Sequence, residues 1–229
     1  MDSTKAGNSS VYSFDKIIRL ENNPLTGSRI CVLGSSVVFG SAAGECAVGE
    51  YLAARFGTEL TKEAVSGTTL TDVEEQSYIQ RMKRNIPTDS VFSLFICQLS
   101  TNDTRGSLNL PLGEIAAGQE LEDFDTHTIT GALEYIICYA KKTWNCPVAF
   151  FTGSRFDSQK YGEMVARLLD LKEKWGIGVM DLWSDEEFNN ITEAQRELYM
   201  NDPVHPVRAG YRDWWGPEME RQLRDYLCF

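Results

Sequence analysis

Histidine is scarce in this chain, with only His127 and His205 among 229 residues. Basic charge is also short: 22 Lys and Arg face 33 Asp and Glu, for a formal charge of −11. Such a chain repels phosphate backbones and anionic bilayers, which argues against nucleic acid or an anionic membrane surface as a general partner and favours neutral or cationic small ligands. No stretch approaches the roughly 18 consecutive apolar residues of a membrane span. The start, MDSTKAGNSSVYSF, lacks the basic, apolar and small-residue segments of a secretory signal, so a cytoplasmic location is expected. The six cysteines, Cys31, Cys46, Cys97, Cys138, Cys146 and Cys228, include no C-x-x-C pair. Core packing is therefore the expected role of those in apolar runs, rather than disulfides or zinc. The acidic stretch LEDFD lacks calcium-loop spacing and reads as a solvated rim.

There is nevertheless ample material for a core, with 42% hydrophobic residues and 11% aromatics. Five short apolar runs alternate with amphipathic segments, the pattern of βαβ units and a parallel sheet. They are RICVLG (29–34), the weaker LTKEAV (60–65), VFSLFICQLS (91–100), CPVAFF (146–151) and IGVMDL (177–182). Helical spacing is clear at Leu133, Ile136, Ile137, Ala140 and Trp144, and at Met164, Leu168, Leu171 and Trp175. Thr71 with Glu74 has the form of a capping box and predicts a helix over 71–86, with Val73, Ile79, Met82 and Ile86 facing the sheet. A last helix is expected over 207–227. The glycine- and acid-rich stretch 103–128 has no period, and a loop of that length is a candidate pocket wall. No repeat, linker or shift in composition divides the chain, so one domain over 1–229 is expected, with 1–28 as an N-terminal extension.

In open parallel sheets, ligands bind beyond the carboxyl ends of the strands. Here those ends are followed by GSSVVFG, SGTTL, STND and TGSRF, and about twenty residues after the fifth comes NDPVHP. A serine hydroxyl needs a base, and an imidazole base needs a group that fixes its tautomer. Asp202 and His205 stand three apart in a turn stiffened by Pro203 and Pro206, where the carboxylate can hold one imidazole nitrogen while the other faces Ser36. In the common order 2-1-3-4-5, the first strand lies between the second and third, so Gly67 and Asn102 flank the Ser36 turn. The Ser36 N–H, the Gly67 N–H and the Asn102 side-chain amide are then available as donors to an oxyanion.

These four blocks, in this order, resemble the SGNH (GDSL-type) hydrolase family over the chain from about Arg29 onward. The resemblance implies a flavodoxin-like three-layer α/β/α sandwich and hydrolysis of esters or thioesters without metal or cofactor. It matches Ser36 to the nucleophile, Asp202 and His205 to the D-x-x-H pair, and Gly67 and Asn102 to the oxyanion donors. The usual Gly-Asp-Ser is here Gly34-Ser35-Ser36, and the asparagine often found before the glycine of the second block is missing. Ser35, Asp103, His127 and Arg155 are the further candidates for substrate contact. Against each stands a plainer role: Asp103 as a turn carboxylate, His127 as a rim residue and Arg155 as half of a surface ion pair.

The expected activity is thus a serine esterase acting on a small-molecule ester, with short acyl groups, acetyl first, on a polar or carbohydrate alcohol. The acyl length is argued from the lack of any extended apolar lid. The alternatives are a lysophospholipase or thioesterase of the same family, and a non-catalytic binding protein on the same scaffold.

Overall fold

The computed structural model describes residues 5–229. Its centre is a five-stranded parallel sheet in the order β2-β1-β3-β4-β5. The strands are β1 (Arg29–Gly34), β2 (Glu59–Ala64), β3 (Leu94–Gln98), β4 (Val148–Phe151) and β5 (Gly178–Met180). Register is continuous across the middle, with Val32 opposite Ile96 and Ile96 opposite Ala149.

Side chains alternate across a strand, so each central strand feeds both faces. On one face Cys31, Leu33, Phe95, Cys97 and Phe150 pack against α3 (Tyr78–Asn85), α4 (Ile129–Trp144) and α5 (Gln159–Trp175). On the other, Ile30, Val32, Ile96, Phe151 and Met180 meet α2 (Val48–Phe56) and the C-terminal α9 (Gly216–Leu227). The result is the expected three-layer α/β/α arrangement. Cys31 and Cys97 are buried thiols, and all six cysteines are free. The edge strand β2 is only half buried and carries Glu59, Lys62 and Glu63, charges that discourage pairing with another chain. Short helices complete the set: α1 (Ser36–Phe39), α6 (Glu186–Asn189), α7 (Glu193–Tyr199) and α8 (Arg208–Gly210). The predicted last helix is real but interrupted, since the five residues Tyr211–Trp215 form a π turn between α8 and α9.

One expected helix is wrong in its first half. The segment 71–77 is a turn, and α3 begins at Tyr78, capped by Ser77 Oγ accepting from the Gln80 N–H. Thr71 and Glu74 make no capping box. Thr71 donates its hydroxyl to Asp103 at 2.7 Å, and Glu74 accepts from the Thr69 N–H and hydroxyl. Asp103 takes the Thr71 N–H that a capping box would give to Glu74, Glu74 is occupied by the nearby Thr69 instead, and Val73 is left exposed.

The stretch 103–128 contains three single 3-10 turns and is pinned to α4 and α5. Glu134, fully buried, accepts from the Ala116 N–H and the Trp175 indole and pairs with Lys174 at 2.5 Å. Lys174 also donates to the carbonyls of Ala116 and Gly118. No described helix is long and apolar enough to cross a membrane.

Candidate active site

The carboxyl end of β1 turns sharply into α1, and that turn delivers Ser36. Gly34 has no room for a side chain, because a Cβ there would lie 2.3 Å from the Val38 side chain and 2.7 Å from Gln98 Oε1. Gln98, the last residue of β3, closes the turn from below. Its Oε1 accepts from the Ser35 N–H at 3.0 Å and the Val38 N–H at 3.4 Å. Those backbone donors fix the orientation of the amide, since only its oxygen can accept them. Ser36 is then the first residue of α1, where its N–H has no carbonyl within the helix to meet.

The imidazole arrives from the opposite side. Residues 200–206 form a closed turn, with Met200 bridged antiparallel to Pro206 and the Asn201 N–H donating to the His205 carbonyl. Inside it, Asp202 Oδ1 accepts from the Val204 and His205 N–H groups at 2.9 Å each. Both Asp202 oxygens lie 2.9 Å from His205 Nδ1, and His205 Nε2 lies 2.7 Å from Ser36 Oγ. A carboxylate held at Nδ1 sets the tautomer that leaves Nε2 free to accept the serine proton. Partial burial pushes the Asp202 carboxyl up. The two backbone N–H bonds and the neighbouring imidazole outweigh that, and it ends below its ordinary value.

Gly67 follows β2 and Asn102 follows β3, the two strands on either side of β1. Gly67 has φ +86°, a left-handed conformation that suits glycine, and the space around its Cα is open. The side-chain nitrogen of Asn102 donates to the Thr68 carbonyl at 2.9 Å and to Ser35 Oγ at 3.1 Å. Its two N–H groups therefore tie the loops together as the chain stands.

The further candidates separate clearly. Ser35 and Asp103 were candidates for substrate contact, but both are completely buried and lie beneath the site. Asp103 accepts from the Leu70 N–H at 2.8 Å, the Thr71 N–H at 3.0 Å and the Thr71 hydroxyl. Burial raises its pKa against those hydrogen bonds, the opposite of Asp202. His127 is solvated and sits 3.5 Å from Asp125 in the turn before α4, outside the hydrogen-bonded set at Ser36. Among the described residues, Arg155 makes no carboxylate pair. Its guanidinium donates to the Trp183 and Ser184 carbonyls and lines a cavity of about 300 Å³ that also includes Phe156, Glu193, Arg196, Asn201 and Asp202.

Two residues that no motif in the sequence marks also pack against these loops. One is Gln98, a polar end to an apolar strand, and the other is Arg81, a fully buried arginine on α3. Among the described residues, no group of three or more His, Cys, Asp or Glu is placed to hold a metal ion.

No protein-family model and no curated protein matches this sequence. Solved structures do. A protein from Lactobacillus plantarum is 20% identical, with 89% of this chain and 97% of that one covered at a TM-score of 0.65. A member of the lipolytic protein G-D-S-L family from Veillonella parvula is 16% identical, covering 84% and 96% at 0.58. A family two carbohydrate esterase from Clostridium thermocellum, solved in complex with cellohexaose, is 12% identical, covering 91% and 67% at 0.62. At such identities the likeness establishes the fold, and that fold is the one carried by GDSL-type lipolytic proteins.

Proposed function

We propose that this chain, built on the fold of the SGNH (GDSL-type) hydrolases, is a serine ester hydrolase with Ser36, His205 and Asp202 as its triad. The observation that carries the reading is the unbroken line from Asp202 through both His205 nitrogens to Ser36 Oγ, at 2.9 and 2.7 Å. Ser36 Oγ attacks the ester carbonyl carbon while its proton passes to His205 Nε2. The carbonyl oxygen takes up negative charge between the Ser36 and Gly67 N–H groups. Asn102 becomes the third donor by turning one N–H from Ser35 Oγ toward the oxyanion. Collapse breaks the bond to the alcohol, which leaves with the proton from Nε2. Water then repeats the sequence on the acyl-enzyme, again with His205 as base.

The substrate is a short acyl ester, acetyl first, of a polar or carbohydrate alcohol. A short acyl group is favoured by the crevice beside Val37, Thr101 and Val204, chain neighbours of Ser36, Asn102 and His205. Phe151, Phe156 and Tyr161 close it so tightly that no water-sized space remains, and a long acyl chain has no path there. A polar alcohol is favoured by the cavity next to Asp202, where one aromatic face stands among charged and amide side chains.

The test is hydrolysis of 4-nitrophenyl acetate, butyrate and octanoate by wild type and Ser36→Ala. Acetate is expected to be the fastest substrate, with turnover lost in the variant. Wild-type rates in Ser36→Ala overturn the serine mechanism, and faster octanoate turnover overturns the short acyl group. Labelling of Ser36 by a fluorophosphonate separates an activated serine from a pocket that only binds.

A further inference from the structure

The geometry points to Arg81 as a positioning residue that holds the oxyanion hole together from beneath, an inference that rests on the ester-hydrolase reading above. Arg81 is fully buried, and a buried cation is costly unless its donors are met. Here they are met by the two loops that supply the oxyanion donors. Nη2 donates to the Gly34 carbonyl at 2.8 Å and to Thr68 Oγ1 at 3.1 Å. Gly34 lies two residues before Ser36, and Thr68 follows Gly67. The remaining bonds anchor the guanidinium itself, from Nη1 to Glu63 Oε1 at 2.8 Å and from Nε to the Gln76 carbonyl at 2.9 Å. The Tyr78 ring lies 5.4 Å below it.

The arrangement closes a circuit. Arg81 joins Gly34 to Thr68, the Thr68 carbonyl accepts from Asn102, and Asn102 donates to Ser35 Oγ, one residue after Gly34. All three expected oxyanion donors are on this circuit or next to it. Asn102 alone of its members meets the substrate, when one N–H turns from Ser35 Oγ to the oxyanion; Arg81, Gly34, Thr68 and Ser35 hold it in place without touching the substrate. The side-chain contribution of Ser35, where the family carries aspartate, is as the acceptor that completes the loop. Arginine suits the central position because its planar fork bonds several acceptors in fixed directions, which an ammonium on a flexible stem does not.

The experiment compares Arg81→Lys, Arg81→Met and Thr68→Val with Ile79→Ala, a core residue of the same helix with no part in the circuit. Each is assayed for kcat and KM on 4-nitrophenyl acetate, for Tm, and for amide hydrogen exchange over 34–37 and 65–70. Displacement of oxyanion donors by about 1 Å can cost about 100-fold. Arg81→Lys is therefore expected to lose kcat on that scale with KM nearly unchanged, Arg81→Met more, and Thr68→Val less. All three should speed exchange at Ser36 and Gly67. Ile79→Ala should lower Tm while leaving kcat and those amides as they are. Should Arg81→Met not fold, Arg81→Lys and Thr68→Val carry the test.

Wild-type kcat in Arg81→Lys, or unchanged exchange at Ser36 and Gly67, overturns the inference. Ser36→Ala, run beside them, reports on the esterase reading alone. Full activity in that variant sinks the reading and leaves the exchange data to judge Arg81.

Discussion

Asp202 and Asp103 are both carboxylates saturated with backbone hydrogen bonds, yet their protonation is driven in opposite directions. Asp202 belongs to a local turn. Every group that it orients lies within three residues, and its side chain keeps 40% of its exposure. Asp103 belongs to a long-range network, where it fastens a loop more than thirty residues away and has no exposure at all. The proposed ester-hydrolase site thus has two differently built halves, one for acid–base chemistry and one for the oxyanion. The acid–base half is a short piece of chain folded on itself, near water, where the charge needed for tautomer control is easily kept. The oxyanion half is assembled from the ends of β1, β2 and β3, with Gln98, Asp103 and Arg81 buried beneath it. Burial makes each of its polar contacts costly to break, and this rigidity suits donors that must already be aimed when charge develops.

Breaking the first half should give the largest effect. Asp202→Asn replaces the acceptor at Nδ1 with an amide that can impose the wrong tautomer, and a loss of about 10⁴-fold in kcat is expected. Steady-state kinetics measure it, and a loss under tenfold would mean that the turn's backbone bonds alone hold His205. The second half should respond less per residue. Asn102→Ala removes an oxyanion donor and a loop tie together, with an expected loss of about 100- to 1,000-fold in kcat. Unchanged kcat there would show that Asn102 keeps both N–H groups on Thr68 and Ser35 throughout the reaction. Beyond catalysis, Asp103→Asn leaves the Leu70 and Thr71 donors with one acceptor oxygen instead of two. It should cost about 1–3 kcal/mol of stability by urea denaturation, whereas Asp202→Asn, at a partly exposed position, should cost less.

The same division explains what the sequence discloses. Asp202 and His205 are three residues apart between prolines, so their partnership is readable from spacing. Ser36, Gly67 and Asn102 are readable as strand-end residues once the alternation of apolar runs sets the sheet. β1 falls on Arg29–Gly34 as read, while the other strands shift or shorten by one to three residues at their ends. Arg81 gives no such signal. It looks like one more charged helix residue, because its partners Gly34, Glu63 and Thr68 are between 13 and 47 positions away. The helix expected from Thr71 and Glu74 fails for the same reason. Both side chains have cap chemistry, but Asp103, brought in by β3, is a better acceptor for Thr71 than the local turn provides. Ser35 and Asp103 pass for substrate contacts in sequence because their burial depends on layers that pack only after folding.

The smallest expected effect is the sharpest test of the two halves, because it concerns sign. The folded chain lowers the Asp202 pKa, so the stability from that carboxylate is present above its unfolded value. It is lost as pH falls through the lowered folded value. For Asp103, whose folded pKa is raised, the proton-linked stability is present below the unfolded value and is lost as pH rises through the folded one. Neither asparagine variant titrates at its own position. The stability gap between wild type and Asp202→Asn should therefore widen with rising pH across the carboxylate range, and the gap to Asp103→Asn should narrow. Urea denaturation at several acidic pH values measures both slopes. Parallel slopes would mean that the hydrogen bonds to Asp103 outweigh its burial, and the contrast between an exposed, locally built half and a buried, long-range one would lose its electrostatic basis.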